Sequence, residues 1–155
     1  MKASCEIDFA IRTAHCQGAL FQRGKSQMKI LEIEWKHYDK EGNTCARCSD
    51  TGLVLQKIVA ELVQQCRPCG WDIKFKVTKL TEKEISQSNI ILLNGKPIEE
   101  ILGNAVAGES HCPTCSELTG NESTCCRTIK VNGKSYESIP SDLIRQAVCK
   151  IMQCC

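Results

Sequence analysis

What the chain lacks narrows it first. It has almost no charge imbalance: 20 Lys and Arg stand against 18 Asp and Glu, a formal net charge of +2 over 155 residues. No basic run stands out, which argues against a nucleic-acid surface. No stretch approaches the length of a membrane span. The opening residues, MKASCEIDFAIRTAHCQGALFQRGKSQ, are interrupted by Glu6, Asp8, Arg12 and His15, so they hold no apolar core of a secretory leader. These absences point to a cytoplasmic protein with neither membrane nor nucleic acid among its partners. The length suits one domain with a real core, here expected over 28–155 after a weakly ordered extension at 1–27.

The excess is in cysteine, with 13 residues. Disulfide scaffolds of that density are usually shorter, secreted chains. Here the thiols are expected to be mostly reduced, metal-bound or catalytic, and an odd number cannot all pair within the chain. Cys5 and Cys16, in the extension, are expected to be incidental.

The most informative stretch runs from Met28 to Cys66. In MKILEIEW, apolar Ile30, Leu31, Ile33 and Trp35 alternate with polar Lys29, Glu32 and Glu34, a β-strand pattern. Thr51, Leu53, Val54, Ile58, Val59, Leu62 and Val63 recur at helical spacing. Between strand and helix stands Cys45-Ala46-Arg47-Cys48. The unpaired N–H groups of a first helical turn stabilise a thiolate there. Cys45 is therefore the expected nucleophile, Cys48 the resolving thiol and Arg47 a positive charge that tunes them. His37 follows the strand and is expected to be a solvated loop residue. Trp35 and Trp71 are expected in strands, facing the core.

Beyond the helix, Pro68 and Gly70 stop it around Cys66 and Cys69. WDIKFKVTKL alternates as a second strand, Thr81 and Glu84 form a capping box, and Ile90 to Leu93 read as a buried third strand before an Asn94-Gly95 turn. Pro97 to Leu102 reads as a short strand or helix. Residues 103–124 are polar and read as an insertion without hydrophobic period, carrying Cys112 and Cys115. CCRTIKV reads as the fourth strand, followed by an Asn132-Gly133 turn. Ser141 starts a last helix with Leu143, Ile144, Ala147, Val148 and Ile151 on its apolar face; Cys149 lies beside it as a small core residue, and Cys154 and Cys155 end the chain.

The order β-α-β-α-β-insertion-β-α is that of an α/β thioredoxin-like fold, with a cysteine-rich insertion between the third and fourth strands. TCARCSDT, SNIILLNGKPIEE and YESIPSDLI resemble a small cysteine-rich prokaryotic thioredoxin-like family of undefined function, over roughly residues 28–152. Thioredoxins and glutaredoxins carry a cis-proline before the third strand; the matching place here is Ser88-Asn89.

That topology predicts two poles. Cys45 and Cys48 occupy one. Cys66 and Cys69, at the far end of the helix, are expected to meet Cys112 and Cys115 at the other as a zinc site, with Cys125, Cys126 and His111 as substitute ligands. An iron–sulfur cluster is less favoured, since no ferredoxin-type spacing appears. The vicinal thiols Cys125 and Cys126 suit As(III) or Hg(II). Two functions follow. One is a thiol–disulfide oxidoreductase acting on protein or small-molecule disulfides. The other is a metal or metalloid carrier, trap or sensor without redox catalysis, which the cysteine content and the absent proline favour.

Overall fold

The structure is a computed structural model, and residues 27–153 are the ones described here. The expected extension, with Cys5 and Cys16, and the terminal Cys154 and Cys155 lie outside the described residues. The fold is mixed α/β with two sheets and flanking helices.

Strand β1 (Lys29–Tyr38) is organised by its alternation. Leu31, Ile33 and Trp35 are buried and Glu32 between them is exposed. The strand runs three residues past Trp35, which keeps His37 in phase with that core face. His37 is therefore buried and stacks on Trp35 at a 4.0 Å ring separation, rather than sitting in a solvated loop.

Helix α1 (Ala46–Cys66) crosses back and turns directly into β2 (Trp71–Leu80). Strand β2 pairs parallel to β1, with Ile33 opposite Phe75, as expected. Gly52 lets α1 lie close on the sheet: a Cβ there would stand 2.5 Å from the Trp35 ring. The capping box forms, with the Thr81 N–H donating to the Glu84 carboxylate at 3.1 Å, and opens a short 3-10 turn. Strand β3 (Ile90–Leu93) is antiparallel to β1. Asn94 and Gly95, both at positive φ, then turn the chain into the short β4 (Lys96–Pro97). The sheet order is β2-β1-β3-β4.

The fourth strand of this sheet is thus Lys96–Pro97, and the cysteine-rich excursion comes after it. Helix α2 (Ile98–Leu102) follows. The stretch taken as structureless then proves ordered, as strand β5 (Ala105–His111) and helix α3 (Pro113–Thr119). Strand β6 (Cys125–Val131) pairs antiparallel to β5, and β7 (Lys134–Tyr136) completes a separate three-stranded sheet, joined to β6 through the Asn132-Gly133 turn. CCRTIKV therefore belongs to this second sheet. Strand β5 was hidden because AVAGESH is small and polar, and its strand character comes from pairing with β6.

Helix α4 (Ser141–Met152) closes the core with Leu143, Ile144, Ala147 and Val148 buried, the face expected from the sequence. Buried polar groups tie the layers together. Asn89, at positive φ, accepts from the Trp35 indole at 3.2 Å and donates to the Thr51 hydroxyl at 3.0 Å. Thr51 also accepts from the Ile139 N–H at 3.0 Å, so α1, the loop before β3 and the entry to α4 share one network.

Candidate metal centre

The second sheet changes where the cysteines go. Cys45 is the N-cap residue of α1, in extended conformation. Strand β5 traverses the molecule once, roughly 23 Å at the usual strand rise, and delivers Cys112 and Cys115 to the start of α1. Cys112 caps the short α3, and its own N–H donates to the Thr124 carbonyl at 3.0 Å. Cys126 is the second residue of β6, opposite Ser110 of β5. The sulfur atoms of Cys45, Cys112, Cys115 and Cys126 all lie within 4.8 Å of one another. All four residues are at most 1% exposed.

The two expected cysteine clusters are redistributed accordingly. Cys112 and Cys115 do come together with a third and fourth thiol, but at the Cys45 end. Cys66 and Cys69 do not join them. Cys66 is buried at the last turn of α1, and Cys69 is disulfide-bonded, as is Cys149 of α4, which had been expected to be a simple core residue. The vicinal pair is split by strand geometry: neighbouring strand residues face opposite sides, so Cys126 is buried while Cys125 is exposed. Cys125 cannot share a chelate with Cys126 in this conformation. His111 stands opposite Cys125 on the exposed side, its Nε2 2.9 Å from the Glu122 carbonyl, and is outside the four-sulfur group.

Cys48 is fully buried beside Cys45, with its sulfur 3.2 Å from the Ser88 hydroxyl. Ser88 accepts the Tyr38 N–H at 2.9 Å and is thereby fixed. Arg47 lies between the two cysteines in sequence, but its guanidinium does not engage the thiols. It donates to the Ser110 carbonyl at 3.3 Å, the Ser110 hydroxyl at 2.9 Å, the His111 carbonyl at 2.6 Å and the Glu137 carboxylate at 2.7 Å. Arg47 thus clamps the end of β5, one residue before Cys112, to the first turn of α1. The Thr114 hydroxyl adds a second clamp by accepting the Ala46 N–H at 3.3 Å.

The electrostatics of the group are those of one thiolate held by thiols. Hydrogen bonds from Cys115, Cys126 and Cys48 hold the Cys45 thiol well below its ordinary range, against the opposing effect of burial. Cys48 is pushed up by donating to Cys45 and by burial. Cys126 is pushed up by its bonds to Cys115 and Cys45 and by burial. At Cys115 the bond from Cys126 lowers, but the bond to Cys45, burial and the neighbouring charges outweigh it and raise the thiol. Ionisation of Cys45 is favoured, as a helix N-terminus suggests, and the partners responsible are the converging cysteines. His37 is pushed down, mainly by burial; its Nδ1 lies 3.2 Å from both the Tyr38 carbonyl and the Thr44 hydroxyl.

Four thiols at this spacing can hold a single metal ion. A tetrahedral ion with sulfur at about 2.3 Å sets its ligands roughly 3.8 Å apart, inside the observed limit. A sulfide-bridged cluster would interpose iron and sulfide between the thiols and needs a wider shell. Of the four clustered cysteines, sequence reasoning had placed Cys45 in a different role and the other three at the opposite end of the molecule. The missing signal was β5.

Fold and site together define a mixed α/β protein with a buried four-thiol centre at the start of α1. The chain belongs to the family described as Domain of unknown function (DUF2703), whose model matches residues 31–148 and so spans the whole centre. It is 31% identical over 118 residues to an uncharacterized protein of Archaeoglobus fulgidus, a match covering 74% of this chain and 82% of that one. No solved structure matches the chain. Among the described residues, no helix is long and apolar enough to cross a membrane.

Proposed function

We propose that this protein is a thiolate metal-binding protein, with Cys45, Cys112, Cys115 and Cys126 holding one soft or borderline ion, zinc foremost. The observation that carries the reading is the mutual approach of four buried sulfurs from three separate segments. Burial of this kind has a poor rationale as packing alone. Within α3 only Cys115 is buried, and Leu118 is half-buried against the core, so that helix has only a small apolar anchor of its own. An ion would anchor it through Cys112 and Cys115. A closed, tetrahedral, all-thiolate shell is the form of a structural or sensing zinc site rather than one with an open catalytic position. As(III) and Hg(II) are competing soft occupants.

A second reading keeps the redox chemistry. The sheet order β2-β1-β3-β4, parallel β1 and β2 joined by α1, and a Cys-x-x-Cys at the start of α1 support a thioredoxin-like scaffold. On that scaffold Cys45 attacks and Cys48 resolves. Its weakness is access: Cys45 is 1% exposed and Cys48 is 0% exposed, which leaves no surface for a protein disulfide to dock on. The metal reading is the stronger.

Metal analysis of protein purified without oxygen tests it, followed by thiol counting with and without a chelator. About one ion per chain, and four thiols that become reactive only with chelator, are expected. A metal-free protein whose buried thiols label at the same rate with and without chelator would remove the reading.

A further inference from the structure

We propose that Cys45 and Cys48 form a peroxide-responsive dithiol whose oxidation dismantles the metal shell, so that the centre releases its ion to a small hydroperoxide. The proposal rests on the metal-centre reading above. Its structural basis is that Cys45 belongs to two sets at once. It is one of the four close sulfurs, and it is the first thiol of the Cys-x-x-Cys at the start of α1. Cys48 lies outside the four-sulfur group but stands buried in the first turn of the helix that Cys45 caps, three residues along the chain. Ser88, fixed by the Tyr38 N–H, holds Cys48 in place at 3.2 Å. The ion and Cys48 therefore compete for one sulfur.

Burial selects the oxidant. Cys45 and Cys48 are at most 1% exposed, which excludes a protein disulfide and leaves a molecule of the size of hydrogen peroxide. The Cys45 thiolate attacks one peroxide oxygen, an S–O bond forms, the O–O bond breaks and hydroxide leaves. Cys45 is then a sulfenic acid. The Cys48 sulfur attacks the Cys45 sulfur, the S–S bond forms, the S–O bond breaks, and the Cys48 proton leaves with the hydroxyl as water. The two sulfurs lose two electrons and the peroxide gains them, giving one water and one hydroxide. Cys112, Cys115 and Cys126 remain, one ligand short of a closed tetrahedral shell. Arg47 and Thr114 tie the β5 end and α3 to α1 through hydrogen bonds that do not involve the thiols.

The test loads reduced full-length protein with one equivalent of Zn2+, adds hydrogen peroxide, follows the freed ion with a chromophoric chelator and maps disulfides by peptide mass. Wild type should free about one ion for each Cys45–Cys48 disulfide formed. Cys48→Ser should bind zinc one to one and retain it at least about tenfold longer at equal peroxide. A disulfide linking Cys112, Cys115 or Cys126 in released wild-type protein would overturn the proposal, as would loss of the ion from Cys48→Ser at the wild-type rate. Should that variant not fold, the wild-type disulfide map decides alone. A reduced wild-type protein that takes up no zinc overturns the metal reading and this proposal with it. A bound ion that peroxide leaves in place overturns this proposal alone and leaves the metal reading standing.

Discussion

The two ends of α1 both carry cysteine, and the contrast between them is instructive. At the N-terminal end, Cys45 meets thiols from α3 and β6 and the group stays as close, buried, unpaired sulfurs. At the C-terminal end, Cys69 is disulfide-bonded, and so is Cys149 at the end of α4. The residue type is the same at both ends. What differs is what surrounds it. The N-terminal end gathers four thiols, a helix start and the Arg47 clamp around one point, an arrangement that a cation completes. The other end leaves sulfur to bond with sulfur. Cysteine content alone cannot separate these outcomes, whereas the number of converging segments can.

Removing one ligand should break the contrast most completely. Cys115→Ser is expected to lower zinc affinity by more than the 10–100-fold that loss of an outer partner typically costs, read as metal stoichiometry after dialysis against a weak chelator. The corresponding change at the other end, Cys69→Ser, should leave stoichiometry at one while costing about 2–4 kcal/mol of stability through loss of its disulfide, read by denaturant unfolding. If Cys69→Ser also empties the metal site, the two ends are not independent.

Acidity should act on the N-terminal end alone. Cys115 and Cys126 have thiols raised above their ordinary values, so both are protonated near neutrality and an ion must displace their protons. Metal affinity should then rise with pH, by at least about a hundredfold per unit because at least these two protons are displaced, and fall as pH falls. Competition titrations against a chelator of known pH behaviour check this; a flat profile would mean that the thiols are already ionised.

Smaller effects sharpen the comparison. Gly52→Ala places a methyl 2.5 Å from the Trp35 ring and should cost about 1–3 kcal/mol by overpacking, without touching the metal shell. Arg47→Ala should reduce zinc affinity by about tenfold, in the range typical of outer partners. It removes the donors to the Ser110 and His111 carbonyls that hold Cys112 in place. Arg47→Lys should recover part of this. Equal metal affinity in Arg47→Ala would show that the ion alone positions β5.

Much of the first sheet was legible because its signals are local. The alternation in β1, the helical spacing in α1, the Thr81 and Glu84 capping box and the Asn94-Gly95 turn each dictate their own geometry. The site was half legible. Cys45 at a helix start was visible, and so was the idea that Cys112 and Cys115 act together. Their location was not, because it depends on whether the chain crosses the molecule between residue 103 and Cys112. AVAGESH carries no strand pattern; it becomes β5 only by pairing with β6, whose Cys126 faces inward and Cys125 outward. One unrecognised strand reverses the end of the molecule at which everything after it arrives. His37 was misplaced for a simpler reason: β1 runs to Tyr38, and the same alternation that buries Trp35 buries His37.

The clamp between Arg47 and Ser110 also bears on how the chain finds its shape. It joins positions 63 residues apart, a loop whose closure costs about 4 kcal/mol in chain entropy. The pairing of β1 with β3 in the first sheet, Ile33 opposite Leu93, closes a loop of similar length, whereas β5, β6 and β7 pair with their neighbours over shorter stretches. The second sheet can therefore assemble on its own hairpins and dock late, and the ion would act as the bolt that fixes the docked form. Hydrogen exchange would show this as slow amides in β1 with or without metal, and as amides in β5 and β6 that slow only when the bolt is in place.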